Sequence, residues 1–93
     1  MSKTAIVTGA SRGIGAAVAQ RLAKDGFTVV VNYVGSEAEA SALVKGIKSA
    51  GGQAVSVQAD VSKVADVSHL FDAAEKQLGG VDVLVNNAGI MAL

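Results

Sequence analysis

An α/β fold, a doubly wound parallel sheet of four strands with three helices, follows from three features of this 93-residue sequence. Short β-branched runs alternate with longer stretches of helical period, which is the pattern of strands joined by crossover helices. Hydrophobic residues make up 51% of the chain but aromatic residues only 3%, so the core must be built from Val, Ala, Leu and Ile, as suits strands covered on both faces. The segment TGASRGIG, residues 8–15, places three glycines directly after the first apolar run, where a strand must turn into a helix.

The runs at 4–8, 28–33, 54–58 and 81–85 have strand length and composition. In the first helical stretch Ile14, Ala17, Val18, Arg21 and Leu22 share a face, and Gly26 follows as a stop. In the second, Ala40, Leu43, Val44 and Ile47 form the stripe, Ser36 and Glu39 fit a capping box, and Gly51 and Gly52 end the segment. The third carries Val67, Leu70, Phe71, Ala74 and Leu78, opens at Ser62 as the cap, and closes at Gly79 and Gly80. Proline is absent, and neither a low-complexity tract nor a linker interrupts the β-α-β-α-β-α-β order.

Strands joined by helices of this length run parallel, and each crossover is right-handed. Two crossovers carry the chain from strand 1 out to strands 2 and 3. Returning past strand 1 for the fourth gives the order 3-2-1-4, with a switch point between strands 1 and 4. The first two helices then lie on one face and the third on the other. One helix leaves that second face incompletely covered and the edge of strand 4, VDVLV, open to pairing. Self-association, or pairing with a missing carboxyl-terminal half, is the expected consequence.

Composition narrows the function. Eight basic and eight acidic residues leave no net charge to recruit nucleic acid or an anionic membrane. No cysteine is present, which removes disulfides and thiolate metal sites, and no metal-ligating cluster stands out. The start MSKTAIV lacks a signal-peptide pattern, and no apolar run reaches membrane-spanning length, so a cytoplasmic location is expected.

The glycine segment falls at the carboxyl end of strand 1, where the N–H groups of the following helix face the switch-point crevice. A pyrophosphate fits there. Gly9 would allow the turn, Gly13 the close approach of a ligand, and Gly15 the packing of helix on sheet. The spacing is GxxxGxG, not the GxGxxG of the general dinucleotide fingerprint. Two further segments end strands on the same side, QADVS after strand 3 and NNAG at 86–89 after strand 4.

With TGxxxGIG, the Asp60-Val61 pair and NNAG in that order, the whole chain resembles the short-chain dehydrogenase/reductase family, and within it members of the 3-oxoacyl carrier protein reductase and sugar-alcohol dehydrogenase type. The resemblance implies a partial dinucleotide-binding Rossmann domain over residues 1–93, truncated before the family's catalytic segment. It implies that Gly9, Ser11, Arg12, Gly13, Ile14 and Gly15 wrap the cofactor pyrophosphate and adenosine ribose. Asp60 would accept a hydrogen bond from the adenine amino group, with the Val61 backbone beside the ring. Asn87, Ala88 and Gly89 would lie along the adenine-side ribose, while Asn86 ties strand 4 to its neighbours.

Cofactor choice turns on the end of strand 2. A carboxylate there would hold the ribose hydroxyls of NAD and repel a 2′-phosphate. This chain has Asn32 and Tyr33, both candidates for cofactor contact, and no carboxylate until Glu37. Arg12 in the glycine segment and Ser36 at a helix start offer phosphate donors, and phosphate-binding family members carry a basic residue at the Arg12 position. NADP is therefore expected over NAD.

The reaction the resemblance implies is hydride transfer between NADPH and a carbonyl/alcohol pair. Family members use a serine, a Tyr-x-x-x-Lys pair and an assisting asparagine on segments that follow NNAG, and this chain stops four residues after that turn. Its single tyrosine, Tyr33, is followed four positions later by Glu37, and its single histidine, His69, reads as a half-exposed helix residue. No catalytic residue is assigned, and the 93 residues alone are expected to be inactive. An alternative is a non-catalytic structural or interaction fragment acting through the open edge of strand 4. A methyltransferase-like nucleotide fold would want an acidic residue where Asn32 stands.

Overall fold

The computed structural model describes residues 3–10 and 13–87. Along them run β1 (Lys3–Val7), α1 (Gly13–Lys24), β2 (Phe27–Tyr33), α2 (Glu37–Ser49), β3 (Gln53–Gln58), α3 (Val64–Leu78) and β4 (Val83–Val85). The strands form one sheet in the order β3-β2-β1-β4, and every neighbouring pair is parallel. The order and the three crossovers are those the sequence predicts.

The pleat divides the core by residue parity. Val7, Val29 and Val31 pack with Ala19 and Ala23 of α1 and with Ala40, Leu43 and Ile47 of α2. Ile6, Val30 and Val57 point the other way and pack with Leu70 and Ala74 of α3. Residues 5–7 and 29–31 are fully buried, so β1 and β2 are central strands covered on both faces. On β4, Leu84 pairs in register with Ile6 and therefore shares the α3 face, yet it remains 50% exposed. A single helix does not reach across that face.

The α1 stripe differs from expectation. Gly15, Ala19 and Ala23 are its buried residues, while Ile14, Ala17 and Arg21 are exposed and Val18 and Leu22 half-buried. The inward stripe consists of the smallest residues because α1 lies close against the sheet, and a reading weighted by hydrophobic bulk picks the neighbouring face. The stripes of α2 and α3 agree with the sequence, with Ala40, Leu43 and Ile47 buried in one and Leu70 and Ala74 in the other.

Caps and element ends also differ in detail. Ser36 is the N-cap of α2 but makes no side-chain cap bond, so the capping box does not form on its side. The N-cap of α3 is Lys63 instead of Ser62, whose amide and hydroxyl both turn back to Asp60. Strand β4 begins at Val83 instead of Val81. Just ahead of it, Asp82 pairs with Thr4 through both backbone and carboxylate, donating its N–H to the Thr4 carbonyl at 2.8 Å and accepting the Thr4 N–H at Oδ2 at 2.8 Å.

Candidate functional site

At one end of the sheet the turns after β1 and β4 meet, and Asn32 on β2 links them to the turn after β3. The turn after β1 has Gly9 at φ 61° and Gly13 at φ 65°, backbone that side-chain-bearing residues adopt only at a cost, and it feeds directly into the first turn of α1. No acidic residue occupies that first turn, so its N–H groups and the positive helix end present a surface suited to an anion. Ile14 beside it is 68% exposed.

Gly15 has a packing reason to be glycine. A β-carbon there would collide with the Gly9 carbonyl oxygen and would lie 2.6 Å from Asn87 Nδ2 and 2.9 Å from Ala10 Cα. At Gly13 a β-carbon would meet nothing within 4 Å, so its surroundings are open and only its dihedral is demanding. The helix therefore touches the turn at Gly15 and leaves space above Gly13.

Side chains from other segments hold the turn. The Gly9 N–H donates to Asn32 Oδ1 at 3.3 Å, and Asn87 Nδ2 donates to the Gly9 carbonyl at 3.1 Å. Thr8 Oγ1 lies 3.3 Å from both the Val85 carbonyl and Asn86 Oδ1. Asn32 is fully buried at the end of β2, and its Nδ2 donates to the carbonyls of Val57 at 3.3 Å and Ala59 at 3.0 Å. This corrects the expectation that Asn32 touches a cofactor directly: its amide faces backbone on every side. Tyr33, the other candidate at this strand end, is half-buried and packs on the α1 and α2 side of the core. Ser36 lies at the α2 N-terminus.

After β3 the chain makes a tight turn around Asp60. Asp60 Oδ1 accepts the Ser62 hydroxyl at 2.6 Å and the Ser62 N–H at 3.0 Å. These two bonds, the hydroxyl first, hold the Asp60 carboxyl below the ordinary aspartate range, with Lys63 adding to the effect. The Asp60 N–H donates to Asp66 Oδ2 at 2.8 Å, which fixes the turn to the first turn of α3. Val61 is half-buried against the α3 core. A cleft of about 450 Å³ opens here, lined by Val34, Gln58, Asp60, Lys63, Asp66 and His69. Sequence reasoning passed over Asp66, whose only signal is an acid in the first turn of α3, six residues beyond Asp60. His69 is exposed on the cleft rim.

The structure thus brings Gly9, Gly13, Ile14, Gly15 and Asn87 together at one end of the sheet, with Asp60 and Val61 at the end of β3. Ser11, Arg12, Ala88 and Gly89 lie outside the described residues. Among the described residues, no group of His, Asp or Glu side chains is placed to hold a metal ion. None of their helices is long and apolar enough to cross a membrane.

The model of the short-chain dehydrogenase family matches residues 3–93. This chain belongs to the short-chain dehydrogenase family. It is 58% identical over 88 residues to an uncharacterised oxidoreductase of Methylorubrum extorquens, covering 95% of this chain and 36% of that protein. It is 50% identical over 90 residues to the 3-oxoacyl-[acyl-carrier-protein] reductase FabG of Staphylococcus epidermidis, covering 97% of this chain and 37% of that one. A blue fluorescent protein from a metagenomic library, solved in complex with NADPH, superimposes with a TM-score of 0.89 at 49% identity over 97% of this chain and 37% of its own. The chain spans little more than a third of the length of the relatives it matches. Family membership makes the chain a relative of these oxidoreductases, and its sheet is the Rossmann-like sheet of the solved family structures.

Proposed function

We propose that these residues form the nucleotide-binding end of an NADP-dependent oxidoreductase that moves hydride between the nicotinamide and a carbonyl/alcohol pair. The observation that carries the reading is the convergence of the glycine turn, the α1 N-terminus and Asn87 at the switch point between β1 and β4, beside the Asp60 turn. The arrangement fits a dinucleotide. Donors at the α1 N-terminus suit the pyrophosphate, the open space over Gly13 admits it, and an ionised Asp60 carboxylate suits the adenine amino group. When bound, the nicotinamide supplies the hydride; this chain's residues bind and orient the other end.

NADP over NAD is supported by the strand-2 end. Asn32 is neutral and buried there, and the first carboxylate beyond it, Glu37, belongs to α2. Among the relatives, a structure holding NADPH points the same way. Arg12 is assigned to the 2′-phosphate and Ser36 to its support. Titration calorimetry with both cofactors tests this. Arg12→Ala is expected to weaken NADP by about tenfold or more, one charge-assisted contact, and NAD much less. Equal losses for both cofactors would remove Arg12 from phosphate recognition.

The half-exposed Leu84 on edge strand β4 favours a second reading compatible with the first. In it the 93-residue chain associates with a copy of itself, or with a complementary chain, along that edge. Sedimentation of the chain over a range of concentrations tests it: a concentration-dependent rise in mass supports association, and a constant monomer mass rejects it.

A further inference from the structure

Asn32 does more than fill the end of β2. In register with Val57, it is fully buried and uses its amide in three directions, donating to the Val57 and Ala59 carbonyls and accepting the Gly9 N–H. Its own backbone carbonyl takes the next N–H of the turn, from Ala10, at 2.9 Å. Two consecutive N–H groups of the glycine turn therefore point inward at one residue, and donors for an anion must come from farther along the segment. Ala59 in turn precedes Asp60, whose backbone and carboxylate are fixed by Asp66 and Ser62.

We infer that Asn32 is a positioning residue for the nucleotide site, coupling the glycine turn after β1 to the Asp60 turn after β3 so that the two are placed together. The inference rests on the nucleotide-binding reading above for its ligand, but the coupling itself is a property of the free protein. The chemistry calls for a side-chain amide, because only a group that donates twice and accepts once satisfies all three backbone partners at this length. A carboxylate would accept from Gly9 and then confront two carbonyl oxygens. An aliphatic side chain would leave three buried polar groups without their partner.

Asn32→Asp is the isosteric test, with Val30→Ala as the control. Val30 is buried in the same strand but packs on the α3 side and touches neither turn through a polar atom. Binding of adenosine 2′,5′-bisphosphate is followed by calorimetry, under conditions where circular dichroism shows each variant folded. Above the pKa of the buried carboxyl, Asn32→Asp is expected to bind about tenfold or more weakly than the unsubstituted chain, since both donated bonds are then lost. Val30→Ala is expected to be less stable but to bind as the unsubstituted chain does.

The deficit of Asn32→Asp should shrink as the pH falls. Burial raises the carboxyl pKa, and the protonated form can donate one bond and accept another, so function is regained below that pKa and lost as pH rises through it. Affinities are compared with the unsubstituted chain at each pH. Tyr33 follows Asn32 on β2, and on the β3 side Asp60 follows Ala59 with Asp66 bonded to it; all three are present in both proteins. On the β1 and β4 side the amide faces Gly9, with Thr8, Asn86 and Asn87 beyond, none of which titrates.

Amide hydrogen exchange gives an arm that needs no ligand. Asn32→Asp, pushed away from the Val57 and Ala59 carbonyls, should speed exchange in residues 59–62 and, through the displaced side chain, at Gly9 with them, while Val30→Ala speeds both only as far as global stability falls. If no variant at Asn32 folds, the unsubstituted chain still decides: the bisphosphate should slow exchange at Gly9 and at the Asn32 side-chain amide in step. Equal binding by Asn32→Asp at every pH, loss of binding by Val30→Ala, or exchange at Gly9 that changes without the 59–62 turn would each overturn the inference. An unsubstituted chain that fails to bind the bisphosphate sinks the nucleotide reading, and the ligand-free exchange arm then judges the coupling alone.

Discussion

At the carboxyl ends of the strands, turns far apart in sequence are fastened to one another by side chains, while at the amino ends each turn closes on its own helix. Asn32 joins residues 9, 57 and 59, Asn87 joins residue 9, and Thr8 meets Asn86. At the other end, Gly26 donates to Ala23, Gly51 to Lys48 and Gly79 to Glu75, all backbone bonds within a helical turn. Each of these glycines has positive φ, the left-handed exit that ends a helix without help from elsewhere. The exception is Asp82, whose carboxylate takes the Thr4 N–H across the sheet. Local exits make a scaffold that tolerates change one turn at a time. The networked end behaves as a unit, which is what a ligand spanning several strands requires.

The largest expected break is Gly15→Ala. Its methyl group would strike the Gly9 carbonyl, Ala10 and Asn87, all backbone or already bonded groups that cannot step aside. A loss of about 3 kcal/mol in urea unfolding is expected, with nucleotide binding abolished. Gly51→Ala probes the opposite end, where there is room for the methyl group but φ is 91°. About 1–2 kcal/mol should be lost through the left-handed backbone alone, with nucleotide affinity unchanged in the folded protein. Gly46→Ala, inside α2 with nothing within 4 Å of the added carbon, should gain about 0.5–1 kcal/mol by the same unfolding measurement.

Ser62→Ala is the mildest change. Removing the hydroxyl that bonds Asp60 should raise the Asp60 carboxyl toward the ordinary aspartate range, read as a shift in its carboxyl carbon NMR titration. Because the folded-state pKa of Asp60 lies below its unfolded value, the turn stabilises the chain above the unfolded pKa and loses that contribution as pH falls through the folded one. Ser62→Ala should therefore flatten the acid limb of the stability curve.

The same contrast explains what could be read from the sequence. Strand runs, the α2 and α3 stripes and the glycine exits at 26, 51 and 79 are local patterns, and they stand where the sequence places them apart from the ends of strands, β4 above all. The order 3-2-1-4 followed from crossover handedness together with the doubly wound return past strand 1. The α1 face was misread because close packing selects Gly15, Ala19 and Ala23 over bulkier neighbours, and no hydrophobic scale rewards smallness. The carboxyl-end network was only half legible. Gly9 and Gly15 announce themselves by turn chemistry and Asp60 by its place after strand 3 and the family resemblance, but Asn32 read as a missing carboxylate and not as a latch, and Asp66 carried no reading at all. Their partners lie 23 and 27 residues or 6 residues away across a turn, distances over which a single sequence carries no pattern.

The networked end is proposed to bind the adenine side of NADP. The direct measurement is a titration of the isotope-labelled chain with NADP, following backbone amide shifts over the whole sequence. Saturable shifts at Gly13, Ile14, Gly15, Asp60, Val61 and Asn87, with the cleft between Ala23, Lys24, Ile47 and Gly51 at the opposite end silent, are the predicted result. No saturable shift, or shifts centred on that opposite cleft, would contradict it.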